Sequence, residues 1–224
     1  MKRIFYISLV LVLLFGATLN AAQLPDDLLA AAASVLTEMS HEPDAEQLQS
    51  MLRSAHGIAI FPSLVRAGLG LGGRFGEGIV LKYDKSEGVW YGPYFVTMKG
   101  LSYGFQVGVQ TTALVLVVAT EGGMSSLQEG RITLGGNLSI AAGPIGRSAE
   151  ASTDLKLEAA MYSYSISKGA FVGASFEGDS IENNVNANQV YWQETLSPKE
   201  ILQKRAFGNS IQELLAELNK TIGK

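Results

Sequence analysis

Five basic residues carry the most suggestive chemistry in this chain. Arg66, Arg74, Lys99, Arg147 and Lys168 each stand beside glycines or at the end of an apolar, strand-like run. A guanidinium presents a planar fork that matches phosphate oxygens, and backbone N–H groups in glycine-rich turns add further donors. If the fold gathers these five residues, they make a local anion site. Other chemistry is thinly represented. The chain has no cysteine and two histidines, which removes disulfides, thiolate metal sites and cysteine nucleophiles. His41 and His56 fall near the ends of predicted helices, and no nucleophile elbow surrounds any serine. No catalytic residue, metal site or cofactor is therefore assigned.

Three local patterns point elsewhere on inspection. Gly68-Leu69-Gly70-Leu71-Gly72-Gly73 has the letters of a dinucleotide fingerprint, but glycines continue through Gly76 and Gly78 into a strand. No helix N-terminus follows to receive a phosphate, so the reading is a glycine-alternating strand or loop that lets another backbone or a headgroup come close. Glu150 and Asp154 are spaced as solvated neighbours on a helix. Asp179, Glu182, Asn183 and Asn184 lack the spacing of a calcium loop and read as a turn.

These residues must be positioned by a chain that is 47% hydrophobic and only 17% charged, which excludes disorder. Glycine supplies 25 of 224 residues, against a usual share of about 7%, as expected for tight turns and closely packed strands. Lys2 and Arg3, the apolar run Ile4–Ala17, and small residues at Ala21 and Ala22 have the order of a secretory leader. Residues 1–22 are thus expected to be a signal peptide, cleaved after Ala21 or Ala22, and residues 23–224 a single domain in a bacterial periplasm. Loss of Lys2 and Arg3 takes the net charge from −4 to −6, which argues against nucleic-acid partners but leaves room for a local basic patch.

Two helices are predicted first, one after Pro25 with Leu28, Leu29, Ala32, Leu36 and Met39 at helical spacing, the other capped by Asp44. From Gly57 to about Asn183 the pattern is strand-like: Gly57–Phe61, Gly78–Tyr83, Val89–Met98, Tyr103–Gln110, Ala113–Thr120, Arg131–Ile140, Ala159–Ser167 and Ala170–Glu177, with one helical turn at Met124–Glu129. Helices return at Ser197-Pro198-Lys199-Glu200 and after Ser210. The expected fold class is α+β: a single domain with a strongly curved, mainly antiparallel, barrel-like β-sheet flanked by N- and C-terminal helices.

Four blocks, in order, resemble the SYLF lipid-binding domain: Ala55-His56-Gly57-Ile58-Ala59-Ile60-Phe61-Pro62, the stretch Gly68–Gly78, Gly143–Ala151 with Thr153-Asp154, and Tyr164–Gly173. The resemblance covers roughly residues 28–202. It implies a phospholipid-binding module without enzymatic activity, whose eukaryotic relatives bind phosphoinositides and, in fungi, actin through additional N-terminal sequence. Here the leader and the acidic opening helices argue against an actin partner. In a bacterial envelope the anionic lipids would be phosphatidylglycerol or cardiolipin. His56 departs from relatives that carry lysine just before the glycine, which weakens the patch.

The expected function is a membrane-peripheral module that reads anionic headgroups through Arg66, Arg74, Lys99, Arg147 and Lys168, with Trp90, Tyr91 or Phe75 entering the interface. Two alternatives stand beside it: a periplasmic scaffold for an envelope protein, and an integral outer-membrane β-barrel. Against the barrel stand the helical ends, a terminal Lys224, and Arg131 and Lys156 close to apolar runs.

Overall fold

The computed structural model describes residues 24–43, 45–136, 138–142, 159–167 and 178–224. Two helices come first, α1 (Pro25–Met39) and α2 (Ala45–Ser54). Two very long strands follow, β1 (Gly57–Asp84) and β2 (Val89–Val118). Helix α3 (Glu121–Leu127) and strands β3 (Arg131–Thr133), β4 (Ile140–Ala142), β5 (Met161–Ser167) and β6 (Ser180–Asn183) come next. The chain closes with α4 (Val185–Trp192), α5 (Pro198–Ile201) and α6 (Gln212–Ile222). Asp44, Glu150, Asp154 and the predicted strand at 170–177 lie outside the described residues.

The α+β expectation holds, with a strongly curled half-barrel sheet and helices at both ends. The sequence reading has several short strands separated by turn-prone residues, with the glycine-rich stretch at 68–78 either strand or loop. Instead, β1 and β2 run through them and pair along nearly their whole length, Gly57 opposite Val118 and Asp84 opposite Val89. Straight strands of 28 and 30 residues would each exceed about 90 Å, against a radius of gyration of about 17 Å for a compact domain of this size. The ribbon therefore has to fold back. Register shifts between Phe61 and Leu64, Leu69 and Leu71, and Val80 and Lys82 mark where it bends. The two halves of β1 meet: Tyr83 N–H donates to His56 O at 2.9 Å. At Gly76 a Cβ would lie 2.6 Å from the Ser63 carbonyl oxygen, so glycine is what permits this close approach.

Each half of β2 recruits its own outer strand. Thr112–Val118 pairs with β5, which carries β4 in parallel, whereas Val96–Lys99 pairs with β6, which carries β3. At the base of the ribbon both sheet faces are buried. Ile58, Ile60, Ile79, Leu81, Val115 and Val117 face one core, filled by Leu28, Leu29 and Leu36 of α1, Leu52 of α2, and Leu214 and Leu218 of α6. Ala59, Phe61, Leu114, Leu116 and Val118 face the other, with Met124, Ile181, Ile201 and Leu202. These stretches leave no stripe to face lipid, which corrects the outer-membrane-barrel alternative for this part of the sheet. Among the described residues no helix is long and apolar enough to cross a membrane.

Asp179 to Asn184 is not a simple turn. Ser180–Asn183 is β6, and Asn184 caps α4 by accepting from Ala187 N–H at 3.2 Å. Buried Asn188 then pins α4 to β2: its amide donates to Phe95 O and accepts from Phe95 N–H, both at 2.8 Å. No group of three His, Asp or Glu among the described residues is arranged to hold a metal ion.

Candidate functional site

The folded end of the ribbon holds the sequence-predicted cations that the structure describes. Alternation along paired strands puts opposite residues on one face. Phe75 pairs with Lys99 and Gly73 with Leu101, so Phe75, Lys99 and Leu101 share a face; Arg74, opposite Gly100, points to the other. Large apolar side chains are exposed here, Phe75 at 43%, Leu101 at 78% and Val109 at 63%. Such a concentration of exposed apolar side chains marks an interaction surface.

On the Phe75 face, β6 brings Glu182 beside Lys99, with a 2.9 Å contact. From β3, Arg131 reaches the same carboxylate at 3.4 Å. The hydrogen bond from Lys99 holds the Glu182 carboxyl below its ordinary value, and Arg131 adds to the pull. Two exposed cations thus share one acid beside the apolar side chains, and Glu77, two residues from Phe75 and opposite Thr97, sets a second carboxylate on the same face. Arg131 is the residue the sequence reading missed as a site member. Its only signal was a cation entering a short apolar strand, and only the β3–β6 register, Arg131 opposite Glu182, places it with Lys99.

On the opposite face Arg74 is buried and forms an ion pair with Asp179. Asp179 presses against Gly100, where any side chain would collide with its carboxylate. Burial pushes the Asp179 carboxyl up, and the opposing pull of Arg74, then of Arg66, does not cancel it. The structure therefore groups Arg66 and Arg74 electrostatically around Asp179 and sets Lys99 on the other face. Arg147 and Lys168 lie outside the described residues.

Of the three aromatics expected at an interface, Phe75 is exposed and the other two are engaged. Trp90 is a correction. It is buried, its ring centre 4.5 Å from that of Tyr83, and its indole N–H donates to Asn219 Oδ1 at 3.2 Å. Tyr91 is half-buried and donates to Glu87 at 2.9 Å. His56 lies 3.4 Å from Lys85 Nζ; burial first, then that lysine, lowers its pKa.

Residues 99–221 match the family described as Ysc84: Las17-binding protein actin regulator. The chain is 39% identical over 158 residues to LAS seventeen-binding protein 3 of Saccharomyces cerevisiae (strain S288c), covering 69% of this chain and 34% of that protein. It is 31% identical over 192 residues to the human SH3 domain-containing YSC84-like protein 1, covering 83% of this chain and 54% of the relative. The chain thus spans from a third to about half of the length of these relatives. The family description and the yeast relative's name are those of binding proteins, not of an enzyme family. They also overturn the expectation against an actin-related partner, because the matching family is itself described as an actin regulator.

Proposed function

The chain belongs to the Ysc84, or SYLF, family, and on that premise we propose that it is a non-enzymatic phospholipid-binding module that docks peripherally on an anionic membrane. The observation that carries this reading is the composition of one face at the ribbon's folded end: exposed Phe75 and Leu101 beside Lys99 and Arg131. Apolar side chains that enter the headgroup region, next to cations that stay at its surface, suit a bilayer. Each near-surface cation contributes about 1 kcal/mol on an anionic leaflet. Burial of a Leu or Phe side chain contributes about 1.5–3 kcal/mol. The leader-like residues 1–22 support a place at the periplasmic face of a bacterial envelope, with phosphatidylglycerol or cardiolipin as the available lipid.

Flotation with vesicles tests this. The chain is expected to float with phosphatidylglycerol vesicles, less so as salt rises, and Leu101→Ser with Phe75→Ser to weaken binding at least about tenfold. Unchanged flotation of that double variant would remove the site. A second reading, a docking module for a protein of the actin-regulatory machinery, is supported by the family description and the yeast relative's name. Co-sedimentation with filamentous actin, with and without a Las17-type partner, tests it directly.

A further inference from the structure

A second surface stands apart from the ribbon. Between the start of α1, the end of α4 and the segment leading to α6 lies a cavity of about 460 Å³, lined by Leu24, Asp26, Val190, Tyr191, Trp192 and Phe207 among others. Its size falls within the range of small-molecule sites, about 300–1,000 Å³. The aromatic walls are firmly set. Trp192 donates its indole N–H to Pro93 O at 3.1 Å, and its ring meets that of Tyr191 nearly at right angles, 79° with centres 5.2 Å apart. Phe207 is 74% exposed and supplies a third ring. Asp26 is the charged residue of the lining, and among the described residues it makes no ion pair within 4.0 Å.

The charge of the occupant follows from this lining. Aromatic faces and an unneutralised carboxylate attract a cation, while the apolar walls favour one that is weakly hydrated and carries carbon substituents. Trp192 already receives a cation in this way: Lys204 Nζ sits 5.5 Å from its ring centre. An anion would meet Asp26, whose carboxylate stands exposed in the same lining. We propose that this cavity binds an organic ammonium group, of the kind carried by choline, with the aromatic rings around the cation and Asp26 as its counter-charge. The source is either a free small molecule or the headgroup of a choline lipid.

The test uses choline chloride against sodium chloride at matched ionic strength, followed by tryptophan emission of the purified chain. Its uncharged isostere, 3,3-dimethyl-1-butanol, is the control. Trp90 is buried and bonded to Asn219, so a saturable shift reports on Trp192. Choline is expected to produce the shift, the isostere to bind at least about tenfold more weakly, and Asp26→Asn to lose about tenfold in affinity. Phe207→Ala, at an exposed position, is expected to lose a few-fold. A matching response to the isostere, an unchanged Asp26→Asn variant, or no response to choline or to phosphatidylcholine vesicles overturns the proposal. Response to vesicles alone assigns the source to a lipid headgroup; response to free choline shows that the ammonium group suffices. Leu101→Ser with Phe75→Ser should weaken flotation on anionic vesicles yet leave the choline response intact, so failure at either site is distinguishable from failure at the other.

Discussion

The two ends of one ribbon, β1 with β2, follow the same ladder and meet opposite fates. At its base, Ile58 to Phe61 and Leu114 to Val118 are buried on both faces, odd and even residues entering separate cores. At its folded end, Phe75, Leu101 and Val109 have the same apolar character and are exposed. Strand formation therefore does not decide where an apolar residue goes. What decides is whether another element covers it: α1, α2 and α6 cover one side of the base, and α3, α5 and β6 help to cover the other. Covered residues hold the fold together, whereas uncovered ones are available to a partner.

The comparison is broken most severely by exchanging those roles. Phe61→Ala, in the fully buried base, is expected to cost about 3–5 kcal/mol, and Leu101→Ala to change stability by no more than about 0.5 kcal/mol. Urea denaturation of both variants decides the matter. Similar losses would mean that the folded end is as well packed as the base.

Next in size is the ion pair that fastens the folded end from beneath. Asp179→Ala removes the carboxylate from buried Arg74 and is expected to cost about 3 kcal/mol. Arg74→Met combined with Asp179→Ala should recover much of that loss, since no charge then remains buried at the pair. A double variant as unstable as the single would show that the carboxylate matters through packing at Gly100 instead of through charge.

A smaller effect is expected on the exposed face, and it rests on the lipid reading. Glu182 neutralises part of the charge of Lys99 and Arg131. Glu182→Gln should therefore tighten binding to phosphatidylglycerol vesicles about fivefold, near 1 kcal/mol. Equal or weaker binding would separate these cations from the membrane contact.

The base of this ribbon was legible because its evidence is local: strand-like apolar runs, helical spacing of apolar residues after Pro25, and proline and serine at helix starts. Ser197 and Glu200 form the capping box their spacing predicts. The folded end was not legible, since the glycines at 68–78 satisfy both a turn and a strand that passes close to another backbone. That choice depends on what lies across from them, which Ser63 and Phe61 supply only after folding. The same limit explains the site. Five cations were grouped by their glycine neighbours, but a one-residue step along a strand reverses the face. Arg74 thereby went inward to Asp179 and Lys99 outward to Glu182, while Arg131 joined Lys99 through a strand pairing that no local pattern announces.

Asp179 and Glu182 sharpen that contrast through pH, because they lie three residues apart and their carboxyls are displaced in opposite directions from their ordinary values. Burial raises Asp179 above its ordinary 3.8, so the folded chain binds this proton more readily than the unfolded chain. Its contribution to stability is fully present below about 3.8 and is lost as pH rises through the folded value. Glu182 is held below its ordinary 4.5 by Lys99. Its contribution is present above about 4.5 and is lost as pH falls through the folded value, and exposure keeps it to a few tenths of a kcal/mol. Urea midpoints measured against pH should therefore show the wild type gaining on Asp179→Asn as the solution is acidified, and losing its small advantage over Glu182→Gln below about pH 4.5. Parallel curves for wild type and Asp179→Asn would mean that Arg74 compensates the buried carboxylate fully, and only the exposed face would then carry a pH-dependent contribution.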